Sequence, residues 1–416
     1  MPAPWHFSVM GAAVKRRSLG FLRGRVEEGK VCLTAYKTQR YCGEEHAAEF
    51  SRLRVYRKEV EFLFNTDYAE FFDGLSPSPS DLLFEGPLEA GNGRKFTYID
   101  RTAQVGRTYA YFLGSASGDI PLTGPVPVRV RDQEVWWPYA RVVDRLRRME
   151  QAYPGLARVE EIGRTARGNA LHGVLVGRGE RMIGLVGAVH AGESGPELIV
   201  PALEAFLEQH RHLLERVCFV AIPSVNWEER DRMVYGLPWY LRVNANGVDL
   251  NRNFPADWEQ VEYGYGLVSS DPDAATYRGA APGSEPETQA VMRFFRKYPP
   301  AVVFSYHALA SFTGNSFLVS RLGEADPDYR WQAEAWSSVY GAAYDEGSEP
   351  GTTLSYACSA GSLSNWIYRE FGAVCFDLEL GRNDPRDCVE DRVSRDLLAT
   401  CRARHLAGIA RVAGQI

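Results

Sequence analysis

The chain has 416 residues, 45% of them apolar and 24% charged, which is the balance of a folded globular protein too long for one core. Its net charge of −6 offers no basic footprint for nucleic acid or an anionic membrane surface. No stretch is long and apolar enough to span a membrane. The start of the chain places an apolar run before Lys15-Arg16-Arg17, the wrong order for a signal peptide, which points to a cytoplasmic location. Seven cysteines, an odd number without Cys-x-x-Cys spacing, agree with a reducing compartment, and Cys218 and Cys375 sit in apolar runs as buried thiols.

Residues 1–132 read as β structure. Short strands are expected at Val31–Thr38, Phe50–Val60, Thr108–Leu113 and Val126–Val130. Gly, Ser and Pro clusters such as Gly114–Pro125 separate them, the pattern of a small all-β sandwich. His6 and His46 stand alone, so no catalytic cluster falls here.

The pattern changes near Trp136-Trp137-Pro138. Tyr139–Tyr153 carries Val142, Leu146 and Met149 at helical spacing and stops at Pro154-Gly155. Strands are expected at 157–162, 171–177, 182–190, 216–224, 301–308 and 373–380, and further helices at 197–210, 285–298, 329–341 and 389–413. This alternation makes residues 133–416 an α/β domain, with a mixed, mainly parallel sheet between helices.

Four stretches carry polar groups that such a fold brings to one sheet edge. At the end of the 182–190 run, His190 and Glu193 occupy the turn into a helix, where sites form in open α/β sheets. The pair reads equally as metal ligands or as a surface His beside a Glu that complements the helix dipole. Arg242, Asn244, Asp249, Asn251 and Arg252 crowd one short loop, where Asp249 pairing with Arg252 would brace it. A guanidinium fork there suits a carboxylate or an oxyanion. His307 ends the apolar strand 301–308. Asp377 and Glu379 face the same side of the apolar strand 373–380, one of them structural and Glu379, nearer the end, the better base. Two His and a Glu on one metal, with an open position and a second carboxylate, compose a hydrolytic zinc site.

From about Tyr139 onward the sequence resembles the zinc carboxypeptidases of the carboxypeptidase A type. The resemblance rests on Ile162–Gly168, His190-x-x-Glu193, Asp249-Leu250-Asn251-Arg252-Asn253-Phe254, His307 and Glu379, in that order. It implies one zinc ion held by His190, Glu193 and His307. It implies that Arg242 polarises the scissile carbonyl, that Asn251 and Arg252 hold a terminal carboxylate, and that Glu379 is general base and acid. Tyr356, in Tyr356–Trp366, resembles the family's mobile tyrosine, with one residue more between Tyr and Trp than the pancreatic enzymes have. Arg242–Pro255 and Pro282–Thr288 are similar to the bacterial branch that includes murein peptide amidases. Residues 96–111 resemble the latter half of a fibronectin type III domain.

The leading expectation is therefore a metallocarboxypeptidase that hydrolyses a peptide or amide bond near a C-terminus through a zinc-activated water. The alternatives are a murein tripeptide (γ-D-glutamyl–diaminopimelate) amidase, an aspartoacylase-like zinc amidoacylase, and a non-catalytic binding protein. The expected partner is a peptide or a peptidoglycan-derived peptide.

Overall fold

Four apolar runs of the second half become neighbouring strands of one sheet in a computed structural model. It describes residues 22–36, 52–61, 71–72, 74–87, 89–91, 95–116, 122–260, 268–308, 316–345, 351–380 and 393–416. Lys15–Arg17, His6, His46, residues 37–38, 50–51 and 117–121, and the first residues of the expected helix 389–413 lie outside them. Two compact units result, one of Glu134–Asp231 with Leu241–Ile416, the other of the described residues from Leu22 to Gln133 with Arg232–Tyr240.

In the N-terminal unit the strands are β1 (Leu22–Glu27), β2 (Lys30–Tyr36), β3 (Leu53–Val60), β4 (Leu82–Gly86), β5 (Glu89–Gly91), β6 (Lys95–Asp100), β7 (Thr108–Ser115) and β8 (Thr123–Arg129). They form two four-stranded sheets, β1-β2-β6-β5 and β4-β3-β7-β8, with antiparallel neighbours throughout. Val26, Val31 and Leu33 of the first sheet share an apolar core with Val55, Tyr111 and Val128 of the second. The short downstream segment is held within this unit by Arg131, whose guanidinium donates to the carbonyls of Met233 and Leu237 at 2.6 and 2.5 Å.

The larger unit begins with α1 (Tyr139–Ala152), whose Val142, Leu146 and Met149 are buried as the spacing required. The chain continues through β9 (Ala157–Arg164), β10 (Ala170–Gly177), β11 (Arg181–Gly187), α2 (Pro196–Gln209), β12 (Val217–Ile222), α3 (Trp227–Val234), α4 (Pro286–Lys297) and β13 (Val302–Tyr306). It ends with β14 (Ser316–Ser320), α5 (Pro327–Tyr344), β15 (Thr353–Cys358), α6 (Leu363–Phe371), β16 (Val374–Glu379) and α7 (Arg395–Gln415). Eight strands pair in the order β15-β14-β16-β13-β11-β12-β10-β9. The central neighbours β16, β13, β11 and β12 run parallel, while β10 joins β12 and β9 antiparallel and β14 joins β16 antiparallel. The fold is the mixed, mainly parallel α/β sheet among helices that the alternation predicts.

Strands β12 and β13 are buried throughout and β11 is buried from Ile183 onward, which is why they read as continuous apolar runs. The strands β14 and β15 and the helices α3 and α6 were absent from the sequence reading. Among the described residues no helix is long and apolar enough to cross a membrane.

Candidate metal centre

The sheet delivers its polar groups at the carboxyl ends of β11, β13 and β16. Strand β11 stops at Gly187, and His190 lies three residues beyond it rather than within it. The turn is enforced by backbone geometry. Ala188 takes a left-handed φ of 47°, a conformation that costs a non-glycine residue about 1–2 kcal/mol. Its carbonyl is held by the Asn226 N–H at 2.9 Å, and the Gly187 carbonyl by the Val225 N–H at 2.9 Å. Gly195 then packs directly on Gly187, so that a Cβ built on Gly195 would meet the Gly187 Cα at 2.4 Å. Helix α2 starts one residue later at Pro196.

Under this turn lies a buried ion pair that the sequence reading did not identify. Glu197 accepts from Arg230 at 2.6 Å and from the Trp137 N–H at 2.7 Å. Arg230 also donates to the carbonyl of Glu193, and to that of Ala191 at 3.4 Å. One guanidinium therefore ties the middle of the His190–Glu193 turn to the first turn of α2.

The result is a convergence of three side chains. Glu193 Oε2 is 2.8 Å from both His190 Nδ1 and His307 Nδ1, and the two Nδ1 atoms are 3.3 Å apart. All three residues are buried, at 2%, 5% and 3% exposure for His190, Glu193 and His307. His307 follows directly on β13, fixed by its N–H to the Leu378 carbonyl at 3.0 Å. The preceding Tyr306 hydroxyl is 2.7 Å from Nε2 of His405 on α7, whose pKa burial pushes down to about 3. Among the described residues this is the one group of three His, Cys, Asp or Glu side chains whose ligand atoms converge closely enough for a metal.

Each imidazole turns its other nitrogen to a carboxylate. His190 Nε2 is 3.2 Å from Asp249 Oδ1, and His307 Nε2 is 3.5 Å from Asp377 Oδ2. Carboxylates behind metal-binding histidines fix tautomer and ring orientation, so the donor set and its support fit a zinc ion. Burial alone would raise the Glu193 carboxyl, but the two imidazoles outweigh it and hold it well below the usual carboxylate range. Burial lowers His307, yet Glu193 and Asp377 raise it well above an ordinary imidazole.

The polar loop packs beside this cluster. Asp249 caps a short 3₁₀ turn, Leu250–Arg252, accepting from the Asn251 N–H at 3.0 Å. Its other oxygen pairs with Arg242 Nε at 2.7 Å, which makes Arg242 a brace for the loop, while the charge of Arg252 also acts on the Asp249 carboxylate. The turn brings the Asp249 oxygens toward Arg242 and His190. Asn251 and Arg252 are both buried at 4% exposure. Asn251 donates to Asp377 at 3.1 Å and accepts from the Leu363 N–H at 2.9 Å, and Arg252 donates to the Asn251 carbonyl at 2.8 Å. Gly361, with φ +69°, passes so close to Arg252 that a Cβ there would meet the Arg252 carbonyl oxygen at 2.1 Å. Burial lowers the Arg252 pKa against the opposing charge of Asp249.

Glu379 is the last residue of β16 and half-buried. Tyr356 is half-buried on β15, and the charges that act on its hydroxyl are Glu334, Arg330 and Glu324 rather than those of the cluster. The structure thus gathers His190, Glu193, His307, Arg242, Asn251 and Arg252 into one connected network through Asp249 and Asp377. The sequence reading left Asp249 and Asp377 without a site role. Their signal was a carboxylate beside Arg242 in the polar loop and a carboxylate on an apolar strand.

Comparison with known proteins shows the family. A sequence model described as zinc carboxypeptidase matches residues 142–388, more than half of the chain. Murein peptide amidase A of Escherichia coli (strain K12) is 49% identical over 70 residues, 16% of this chain and 29% of that protein. Carboxypeptidase A6 of Homo sapiens is 28% identical over 279 residues, 59% of this chain and 60% of that protein. The chain spans less than two thirds of the length of both. Among solved structures, the carboxypeptidase A from Helicoverpa armigera shares the fold with a TM-score of 0.55 at 15% identity, covering 87% of this chain and 98% of that one. With the family model spanning the elements that carry the cluster, the chain belongs to the zinc carboxypeptidase family.

Proposed function

We propose that this chain is a zinc-dependent metallocarboxypeptidase, with residues 133–416 as its catalytic domain. The observation that carries the reading is the placing of both Nδ1 atoms 2.8 Å from one Glu193 oxygen, with a carboxylate behind each ring. His190, Glu193 and His307 would hold one zinc ion. Bound zinc supplies Lewis acidity and an activated water. Arg242, pinned by Asp249, offers positive charge to the oxyanion that develops on the scissile carbonyl. Glu379 takes the proton of the attacking water and returns it to the leaving amine. Asn251 and Arg252 receive the terminal carboxylate of the substrate, where a buried guanidinium binds an anion more strongly than in water. Tyr356 would cover the substrate only by swinging from β15 away from Arg330 and Glu334, the charges that act on its hydroxyl here.

A second reading keeps this chemistry and changes the substrate to a murein tripeptide cut at its γ-D-glutamyl–diaminopimelate bond. The local 49% identity to murein peptide amidase A favours it. We also propose that the N-terminal unit is a fibronectin type III-like sandwich, supported by its two antiparallel four-stranded sheets around one apolar core.

Turnover of N-blocked peptides with a free C-terminus, and of murein tripeptide, by zinc-loaded and chelator-stripped protein tests the reading. Zinc-dependent release of C-terminal residues supports the carboxypeptidase. Release of diaminopimelate alone selects the amidase. Turnover that survives full zinc removal contradicts both.

A further inference from the structure

Asp377 is 4% exposed and lies on β16 two residues before Glu379, on the same face of the strand. Its Oδ1 accepts from the Ser364 hydroxyl at 2.8 Å and its Oδ2 from the Asn251 amide at 3.1 Å. Cys358 Sγ is 3.7 Å from the same Oδ2. Asn251 in turn accepts from the Leu363 N–H at 2.9 Å. A closed ring of bonds therefore runs from β16 to the polar loop, to the first turn of α6, and back. These donors are neutral, and an Asn or Thr at position 377 would meet them without bringing a charge into the interior. Burying a carboxylate is costly unless a cationic or strongly polar partner faces it. That partner is the imidazole of His307, whose Nε2 lies 3.5 Å from Oδ2 and 3.3 Å from the Ser305 hydroxyl, while Nδ1 points at Glu193.

We propose that Asp377 is a positioning residue that couples the metal-binding ring of His307 to the carboxylate clamp of Asn251 and Arg252. Resting on the zinc-peptidase reading, it extends that reading to a residue outside the ligand and clamp set. Toward His307 the carboxylate faces Nε2 and, together with the Ser305 hydroxyl, favours the proton on that nitrogen, so that Nδ1 keeps its lone pair for the metal. Toward the clamp it fixes the Asn251 amide beside Arg252. One side chain thereby sets the distance between the point where the bond is cut and the point where the terminal carboxylate is held.

The test uses the full chain with Asp377→Asn, which keeps the size, and Ser364→Ala, which removes one anchor of the carboxylate and leaves its charge. Zinc affinity is measured by titrating zinc into apo protein against a chromogenic chelator. KM and kcat are measured on one peptide with a free and with an amidated C-terminus. Asp377→Asn should weaken zinc binding about 10–100-fold, the usual effect of losing a carboxylate behind a metal-bound His, and Ser364→Ala should weaken it less. In both, KM should rise on the free peptide and stay near wild type on the amidated one. A folded Asp377→Asn with wild-type zinc affinity overturns the proposal, as does an equal KM change on the two peptides. Should Asp377→Asn fail to fold, unchanged zinc affinity and KM in Ser364→Ala overturn it. Failure of the wild type itself to take up zinc would instead overturn the zinc reading, and this inference with it.

Discussion

Arg230 and Glu197 face each other at 2.6 Å with side-chain exposures of 2% and 0%, and the same guanidinium reaches the carbonyl of Glu193, one of the three side chains of the candidate metal centre. The pair is a brace for the metal centre. Removing one partner of such a pair leaves the other charge buried and costs about 3–5 kcal/mol. Glu197→Gln should lower the unfolding free energy by that amount and reduce zinc retention, measured by denaturant titration and metal analysis. Wild-type stability would show that the turn is held by its backbone alone.

Gly195 tests the same turn sterically. A methyl group at this position meets the Gly187 Cα at 2.4 Å, and neither backbone can yield without moving the turn. Gly195→Ala should destabilise the protein by about 1–3 kcal/mol and lower its zinc content, whereas Gly414→Ala, on α7 with nothing within 4 Å of its Cβ position, should leave both intact. Thermal melts with metal analysis check both.

The zinc contribution to stability should grow with pH. In the metal-free protein His307 is raised well above 6.5, so its contribution is fully present below the unfolded pKa and lost as pH rises through the folded one. Zinc requires the deprotonated ring. Glu193, held well below the usual range, stays ionised throughout and adds no slope there. The difference in Tm between zinc-loaded and apo protein should therefore widen from about pH 6 to about pH 8. A constant difference would mean that His307 does not exchange a proton for the metal.

Much of this site was legible in the sequence because its residues end apolar runs. Strand β13, β11 from Ile183 and β16 up to Leu378 are buried on both faces, so their polar ends stand out at His190, His307 and Glu379. Strand β15 was not legible, since its alternation of exposed and half-buried residues lacks an apolar run. Helix α3 was hidden by Glu228, Glu229, Arg230, Asp231 and Arg232 in succession, which mask its buried side. The pairs Arg230–Glu197 and Asp377–His307 join residues 33 and 70 positions apart (230 − 197 and 377 − 307), and no local pattern specifies such partners. Alternation showed which face Asp377 takes, but not that Asn251, Ser364 and His307 meet it there.

Glu379→Gln separates chemistry from binding. The substitution keeps size and removes the proton acceptor. It should lower kcat about 10²–10⁴-fold with zinc content and KM near wild type. Loss of zinc together with activity would assign Glu379 to the metal rather than to the proton.

The central claim is that a zinc peptidase site here reads a free C-terminus through Arg252. Steady-state kinetics of wild type and Arg252→Ala on one peptide, with free and with amidated C-terminus, test it most directly. The wild type should prefer the free peptide. Arg252→Ala should raise KM on it more than it lowers kcat, because the lost contact exists in both ground and transition states. On the amidated peptide, whose carboxylate is already gone, the loss should shrink toward none. Equal losses on the two peptides would contradict the account and point to cleavage that does not depend on the chain end.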